Sequence, residues 1–390
     1  MDFRLNEDLQ RFQSEVDDFI ATGLPAGWDD PSLDFDAGLA VERQVMIRLA
    51  EKHWLALPWP EEYGGLGATP LQQMVFNESI AYNRVPGAVN MGVAWVGPVV
   101  MLYGTDDQKE RYLSRIGDGS DLWCTLYSEP GSGSDLASMQ TRAVRDGDEY
   151  VINGQKIWTS FGHYADWGWL AARTDPDVPK HKGLSTFAID MKTPGIEIRP
   201  LTNLAGSHEF NEIFFEDVRI PATQLVGEEN RGWYHVAVGL DFERSSIGAV
   251  SVARRDIDDL TAWTRNERRG AHRLVDKLGV RGLLADLTVS SEVGRLMAYN
   301  VAWMQNAGGV PTREANITKL YMAELQQRVQ LGALNIAGLP GTLGPGDPAA
   351  ALGGALQYSF LRSIANTIEG GTSEIQRNVI ATRGLGLPRE

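Results

Sequence analysis

The segment 127–160 carries residue types suited to holding a flat ring with polar edges. Its first nine residues, Tyr-Ser-Glu-Pro-Gly-Ser-Gly-Ser-Asp, combine hydroxyls with glycines that let a backbone approach a ligand closely. Two turn signals follow, Asp146-Gly147 and Asn153-Gly154, and they predict a hairpin frame that holds Trp158 beside the loop. For the loop taken alone, an ordinary Gly/Ser surface loop is favoured, and the dinucleotide fingerprint is not met because residue 136 is leucine.

A second candidate group is Glu243, which falls on an apolar stripe of the amphipathic stretch that begins near residue 232. The apolar residues at helical spacing on that stripe are Val236, Leu240, Ile247 and Val250. A carboxylate on a core-facing stripe is costly unless it is paired, hydrogen-bonded or neutral. The residues alone leave two interpretations open: a glutamate paired with an arginine of another helix, or a base whose pKa is raised by desolvation.

A third feature is the turn Gly370-Gly371 before the last predicted helix. The pattern Ser373-x-x-Gln376 predicts a capping box at the start of that helix. The glycines free backbone N–H groups just before it, and such a helix start suits a pyrophosphate.

Composition limits the partners. The chain has 390 residues, 43% hydrophobic and 22% charged, enough for two or three packed units. Its formal net charge of −15 argues against a general affinity for nucleic acid or anionic membranes. Cys124 is the only cysteine, so no intrachain disulfide forms and a reducing cytoplasm is expected. No signal-peptide core is visible, and the most apolar stretch, 89–103, is too short to span a bilayer.

Periodicity divides the chain into three parts. Residues 1–118 are predicted to be helical, residues 119–227 to form a barrel-like or sandwich-like β-domain, and residues 228–390 to form a helical bundle. The predicted strands are 150–152, 167–172, 185–189, 196–199 and 212–215, and the predicted helical stretches of the last part are 232–262, 283–306, 313–337 and 353–368. This sequence of a helical part, a β-rich part and a second helical part predicts an α+β multidomain protein.

Two of these segments resemble the signatures of a known protein family. The segment 127–160 resembles the flavin-binding signature of the acyl-CoA dehydrogenase family, and Glu369–Asn378 resembles its C-terminal signature. The resemblance extends over essentially the whole chain. It implies an N-terminal helical domain, a central β-barrel-like domain, a C-terminal four-helix bundle, and FAD as cofactor.

The resemblance also implies site residues. Trp158 would pack against the isoalloxazine, Ser160 would lie near its reactive nitrogen, and Ser134 would face both flavin and acyl-CoA. The implied FAD contacts are Tyr127, Ser128, Gly133, Ser134, Trp158, Ser160, Thr372 and Glu374, and the implied substrate contacts are Ser134, Asp241 and Arg244.

The stretch 240–244 resembles the one that carries the base in the isovaleryl-CoA and long-chain branches, whereas the medium-chain position is occupied by Gly370. The implied reaction is removal of an α-proton of an acyl-CoA thioester by Glu243, transfer of a β-hydride to the flavin, and release of a trans-2-enoyl-CoA. The N–H of Gly370 and a ribityl hydroxyl would bind the thioester oxygen. Glu369, one residue before the medium-chain position, is the rival base.

The chain departs from the family where homotetramers complete a neighbour's FAD site. Arg268–Arg273 lacks the Phe-Gly of the family's Arg-x-x-Phe-Gly element, and Asn335–Gly341 has Leu339 and Pro340 in a glycine-rich loop. A homo- or hetero-oligomer is expected. A heteromer, as in members that act on sterol side-chain thioesters, is somewhat favoured over drift with Arg268, Arg269 or Arg273 taking over.

The small residues Ser245, Ser246 and Gly248 follow the base, so a branched, long or bulky acyl group is expected. The implied electron acceptor is an electron-transfer flavoprotein. Two alternatives stay open: a flavin oxidase or monooxygenase on the same fold, and a non-catalytic partner subunit of a heteromer.

Overall fold

A computed structural model describes residues 3–30, 35–87, 90–241 and 246–388, with only the backbone described at 35, 36 and 239–241. The described chain forms two compact units. The bundle unit comprises residues 1–24, 69–85 and 244–390, and the sheet unit comprises residues 25–68 and 86–243. The N-terminal helices are thus shared between the two units, and the domain boundaries at 118 and 227 stay a prediction.

Helices dominate the first part of the chain. They are α1 (Glu7–Thr22), α2 (Phe35–Glu51), α3 (Pro70–Tyr82), α4 (Gly97–Tyr103) and α5 (Asp106–Gly117). Thr105 caps α5: its hydroxyl oxygen accepts from the N–H of Gln108, and the side-chain oxygen of Gln108 accepts from the N–H of Thr105. These two reciprocal bonds form a capping box, which the pattern Thr105-x-x-Gln108 favours.

The described strands of the central part belong to one eight-stranded sheet. They are β1 (Trp123–Leu126), β2 (Arg142–Asp146), β3 (Glu149–Ser160), β4 (Trp167–Arg173), β5 (Leu184–Asp190), β6 (Ile196–Leu201), β7 (Phe210–Pro221) and β8 (Leu225–Val226). Their order is β6-β7-β3-β2-β4-β5-β8, and β1 pairs with β4. The strands alternate buried and exposed residues, or are buried throughout as in β4 and β5, and they enclose an apolar core.

Cys124 lies in this core and is fully buried. Burial raises the pKa of its thiol to about 12. Cys124 is therefore a small packed residue of the core.

One of the two predicted turns is wrong. Asp146-Gly147 does join β2 to β3, but Asn153-Gly154 lies inside β3, where the pairing with β7 shifts register. Gly154 has a φ of +152° and approaches Thr141 so closely that an added Cβ would lie 2.7 Å from its Cα. Long pairing with β7 overrides the local turn preference. The extra residue lies on β7, because residues 152 and 154 of β3 pair with residues 218 and 215, and Asp217 between them has a φ of +48°.

The last part is again helical. Its elements are α6 (Gly232–Asp241), α7 (Ile247–Asn266), the short hairpin β9 (Arg268–Arg269) and β10 (His272–Arg273), α8 (Leu278–Asn306), α9 (Thr312–Ala337), α10 (Ala355–Ser363) and α11 (Ser373–Val379). The predicted single stretch 232–262 is two helices. Ser246, just before α7, has a φ of +55°, which a right-handed helix does not accommodate.

Helices α7, α8 and α9 pack against one another, α10 packs on α9, and α3 packs on α7 and α8. Apolar residues from these helices and from α1 form the core of the bundle unit. The helical, sheet and helical parts follow one another along the chain, and the predicted fold class is confirmed. Among the described residues, no helix has both the length and the apolar character that crossing a membrane requires.

Candidate functional site

The loop 127–135 lies beside the last part of β3. The N–H of Ile157 donates to the carbonyl oxygen of Ser128 at 2.9 Å, and Lys156 Nζ donates to the carbonyl oxygen of Tyr127 at 2.9 Å. Within the loop, Glu129 and Ser132 exchange two backbone hydrogen bonds that close a tight turn. The side chain of Tyr127 packs on the apolar cluster of Met139, Ala171, Leu184 and Val236, which anchors the start of the loop.

The loop offers donors and open space. Ser128 is half-exposed, and Gly131, Gly133 and Ser134 are exposed. An added Cβ at Gly131 or Gly133 would meet no described atom within 4 Å. Among the described residues, no acceptor pairs with the N–H of Gly131, Gly133 or Ser134, and none pairs with the buried hydroxyl of Ser132.

Trp158 stands out on β3. Its side chain is 54% exposed, and its φ of +62° is unusual for a bulky residue. The indole meets the ring of Phe210 edge to face, with centroids 5.7 Å apart. Ser160, two residues on, is half-buried and pairs in register with Phe210. Trp158 lies at a bulge of β3, because residues 156 and 159 of β3 pair with residues 213 and 211 of β7. A strained and exposed aromatic residue at such a bulge is typical of a functional site.

A buried ion pair supports the loop from below. Lys156 has no exposed surface, and its Nζ lies 2.8 Å from Oε1 of Glu129, whose side chain is 7% exposed. Glu129 also accepts from the backbone N–H groups of Gln140 and Thr141. Burial lowers the pKa of Lys156 to about 8, although Glu129 opposes the shift. The pair joins loop and strand next to Trp158.

The C-terminal turn belongs to the bundle unit. Gly370 and Gly371 have φ values of +62° and +90°, a region that glycine occupies without strain. Thr372 caps α11 by accepting from the N–H of Ile375 at 3.1 Å, and Glu374 is exposed in the first turn. The predicted capping box at Ser373 is therefore wrong by one residue.

Gln376, the other half of that predicted box, binds elsewhere. Its Nε2 donates to the carbonyl oxygens of Gly370 and Gly371, at 3.2 and 3.3 Å. The Ser373 hydroxyl is buried with no partner among the described residues.

Comparisons with known proteins give a consistent result. Sequence models of the acyl-CoA dehydrogenase N-terminal, middle and C-terminal domains match residues 6–120, 124–218 and 230–385. The acyl-CoA dehydrogenase IpdE1 of Mycobacterium tuberculosis is 36% identical over 396 residues, covering 98% of this chain and 99% of IpdE1. The chain belongs to the acyl-CoA dehydrogenase family. It is an oxidoreductase that acts on acyl-CoA thioesters with FAD as cofactor.

Two solved structures are similar over their whole length. The ChsE4–ChsE5 complex from Mycobacterium tuberculosis has a TM-score of 0.90 at 34% identity, with 100% of each chain covered. The structure named Tcur3481–Tcur3483 steroid ACAD has a TM-score of 0.88 at 34% identity, also with 100% of each chain covered. Both agree with the order of helical and sheet parts described above.

The residues of the sheet unit fit the family's cofactor. The loop N–H groups and the Ser132 hydroxyl, which have no partner within the described residues, and the exposed indole of Trp158 match a flat ring that has polar edges. In the bundle unit, the N–H groups of Gly370 and Gly371 have no acceptor among the described residues.

The candidate base and two implied substrate contacts cannot be described in the same way. Glu243 and Arg244 lie outside the described residues, and of Asp241 only the backbone, at the end of α6, is described. The rival base, Glu369, is described. Both of its carboxylate oxygens accept from Arg362, at 3.2 and 3.0 Å, and its side chain is 45% exposed.

The pair of Lys156 and Glu129 was missed by sequence reasoning. Both residues lie inside the segment 127–160, but a lysine in a strand is ordinarily predicted to be exposed to solvent. The alternation of faces along a strand is the signal that could have indicated its burial, because it places Lys156 on the same face of β3 as the buried Ile152.

Proposed function

We propose that this acyl-CoA dehydrogenase uses Glu243 as the general base and the N–H of Gly370 as a donor to the thioester oxygen. The observation that carries the choice of base is the environment of Glu369. Its carboxylate is held by Arg362 on both oxygens and is half-exposed to water. A base for an α-proton must instead reach the substrate in a site from which water is excluded.

Each residue has a separate task in this mechanism. FAD, when bound, supplies the hydride acceptor. Glu243 takes the α-proton of the acyl group, and the N–H of Gly370 stabilises the negative charge that develops on the thioester oxygen. Trp158, Ser160 and the 127–135 loop, with Tyr127, Ser128, Gly133 and Ser134, hold the ring system in place. Thr372 and Glu374 are proposed as further FAD contacts, and Asp241, Ser134 and Arg244 as contacts of the acyl-CoA.

Replacing each of the two glutamates separately tests which one is the base. We expect Glu243→Gln to abolish turnover while the variant keeps its fold and its flavin, because only the proton acceptor is lost. Glu369→Gln is the matched control and keeps most of its activity. A dead Glu369→Gln together with an active Glu243→Gln would contradict the assignment.

We further propose that the acyl group is branched, long or ring-bearing. The similar structure named a steroid ACAD supports this proposal, as do the small residues near the base. Gly248 in α7 has room around it, since the one described atom that an added Cβ would meet within 4 Å is the Cβ of Ala81, at 3.8 Å. A thioester panel with an artificial electron acceptor tests the proposal. We expect kcat/KM to be higher for branched and ring-bearing thioesters than for butyryl-CoA, and the reverse order would refute it.

A partner chain of a different sequence is proposed to complete the flavin site. The three arginines that would otherwise take over are all engaged locally. Arg268 donates to the carbonyl oxygen of Ala271 at 3.1 Å, and Arg269 donates to that of Ala337. Arg273 pairs with Asp276 at 2.9 Å. The names of the two similar structures each contain two proteins, ChsE4 with ChsE5 and Tcur3481 with Tcur3483, which supports a heteromer.

Electrons are proposed to leave to an electron-transfer flavoprotein in the cytoplasm. Rapid oxidation of the reduced enzyme by oxygen would favour the oxidase or monooxygenase alternative instead. Absence of flavin from the purified chain, alone and with partner chains, would favour the non-catalytic subunit.

A further inference from the structure

The ammonium group of Lys319 in α9 binds three backbone carbonyls of the segment before α11. Lys319 Nζ donates to the carbonyl oxygens of Asn366, Glu369 and Gly371, at 3.2, 2.8 and 2.7 Å. An ammonium has three N–H donors, so every donor of Lys319 has an acceptor. Burial lowers the pKa of Lys319, with Glu369 opposing, and the carbonyl contacts offset the cost of placing a charge there.

One of these carbonyls belongs to the peptide group that carries the Gly370 N–H. The carbonyl of Glu369 and the N–H of Gly370 lie in one planar trans unit and point in opposite directions. The contact of Lys319 with this carbonyl therefore directs the Gly370 N–H away from the ammonium. Gln376 Nε2 holds the next carbonyl, that of Gly370, at 3.2 Å.

The N–H groups of the same two peptides make no hydrogen bond within the described residues. In the part of the chain that the structure describes, neither Gly370 N–H nor Gly371 N–H has an acceptor, and Gly370 is exposed. The φ values of +62° and +90° keep this arrangement accessible to glycine alone without strain. The turn thus presents two N–H donors, and Lys319 and Gln376 hold the carbonyl oxygens of the same two peptide groups.

Lys319 is one of three polar residues on a face of α9 that holds this segment. Gln326 and Gln327 follow after seven and eight positions, about two helical turns. Gln327 Nε2 donates to the hydroxyl of Thr367 at 3.0 Å and to the carbonyl oxygens of Ser363 and Ile364. Gln326 accepts from the amide of Asn366. Of the three side chains, Lys319 alone contacts the Glu369–Gly370 peptide.

We propose that Lys319 is a positioning residue that orients and polarises the Glu369–Gly370 peptide group, so that its N–H binds the thioester oxygen more strongly. The inference rests on the proposed role of Gly370. A cation at a carbonyl oxygen strengthens the hydrogen bond that the N–H of the same peptide donates, because hydrogen bonds in a chain polarise one another. Lys319 acts through Gly370 and makes no contact with substrate in this scheme.

A pair of ligands isolates the carbonyl contact. The two ligands are a 2-enoyl-CoA product and the matching S-alkenyl-CoA thioether, which lacks the carbonyl. Calorimetry gives the dissociation constant of each. The sample is the FAD-loaded enzyme, together with its partner chain if one is required. In Lys319→Met we expect the preference for the thioester to fall about fivefold to tenfold, the effect of one hydrogen bond. We also expect kcat to fall about 100-fold. Thioether affinity, FAD content and unfolding temperature should stay close to those of the wild type.

Two further variants provide the controls. Lys319→Arg keeps the charge and should restore part of the preference. Gln327→Met loosens the same segment at other carbonyls and should leave the preference unchanged. Equal losses in Lys319→Met and Gln327→Met, or an unchanged preference in Lys319→Met, would overturn the inference. Failure of the proposed function would look different, because Glu243→Gln would then stay active or wild-type enzyme would not turn over thioesters.

Discussion

At the scale of single residues, the pair of Glu129 and Lys156 joins the loop to the strand on which Trp158 stands. Glu129→Gln leaves a buried ammonium without its counter-ion, and we expect a loss of roughly 3–5 kcal/mol in the free energy of unfolding. The double variant Glu129→Gln/Lys156→Met should recover much of that loss, because no buried charge remains. Urea unfolding of the single and double variants measures both values, and additive losses would contradict the pairing.

The same pair should make the protein sensitive to acid. Burial acts to raise the pKa of Glu129, but the charge and hydrogen bond of Lys156 outweigh it, and the pKa lies below its ordinary 4.5. The unfolded chain therefore takes up this proton at a higher pH than the folded one. The stabilisation is complete above pH 4.5 and is lost as pH falls through the folded pKa. Unfolding temperature should fall less steeply with acid in Glu129→Gln than in the wild type.

Trp158 is the residue whose role the sequence predicts most directly. We expect Trp158→Ala to lower flavin retention, because an exposed aromatic wall is removed, and Trp158→Phe to keep more of it. Absorbance of the purified variants at flavin wavelengths measures retention. An unchanged flavin content and spectrum in Trp158→Ala would mean that the indole only packs on Phe210.

At the scale of elements, Gly154 of β3, which lies beside the bulge of β7, gives a clear test of backbone geometry. Gly154→Ala would place a Cβ 2.5 Å from the Thr141 hydroxyl at a φ that alanine avoids. We expect a loss of about 3 kcal/mol or more, from strain and overlap together. Gly147→Ala in the adjacent turn is the control, since its φ of +64° is also unfavourable but an added Cβ would meet no described atom within 4 Å. Its expected loss is about 1 kcal/mol, and equal losses in urea unfolding would argue against the close approach of Gly154 to Thr141.

Local signals predicted the elements well and their details less well. The strands, the cap at Thr105 and the turn at Gly147 follow from residues close in sequence. The extended conformation of Gly154 beside the bulge of β7 does not, because pairing between β3 and β7 decides it. The partners Glu129 and Lys156 are 27 residues apart, and only the folded sheet brings them together. The contacts of Lys319 with a segment about 50 positions away are hidden for the same reason.

At the scale of the whole molecule, the order of domains follows from periodicity, but the assembly does not. Helix α8 carries an exposed apolar stripe at helical spacing. Its members are Val289, Val293, Leu296 and Trp303, which are 65%, 43%, 39% and 46% exposed. A continuous exposed stripe of this kind is typical of a surface that another chain covers. The stripe supports an oligomer without deciding whether its subunits are alike.

Flavin stoichiometry decides between the two kinds of oligomer. We expect the chain purified alone to bind less than one FAD per subunit, because the arginines of the 268–273 hairpin are engaged in local contacts. Co-expression with the correct partner chain should raise the FAD content, as measured by absorbance and by the mass of the assembly. Val293→Asp on the stripe should weaken assembly, whereas Val144→Asp, which changes an exposed valine of β2, should not. A homotetramer with one FAD per chain would rule out the heteromer.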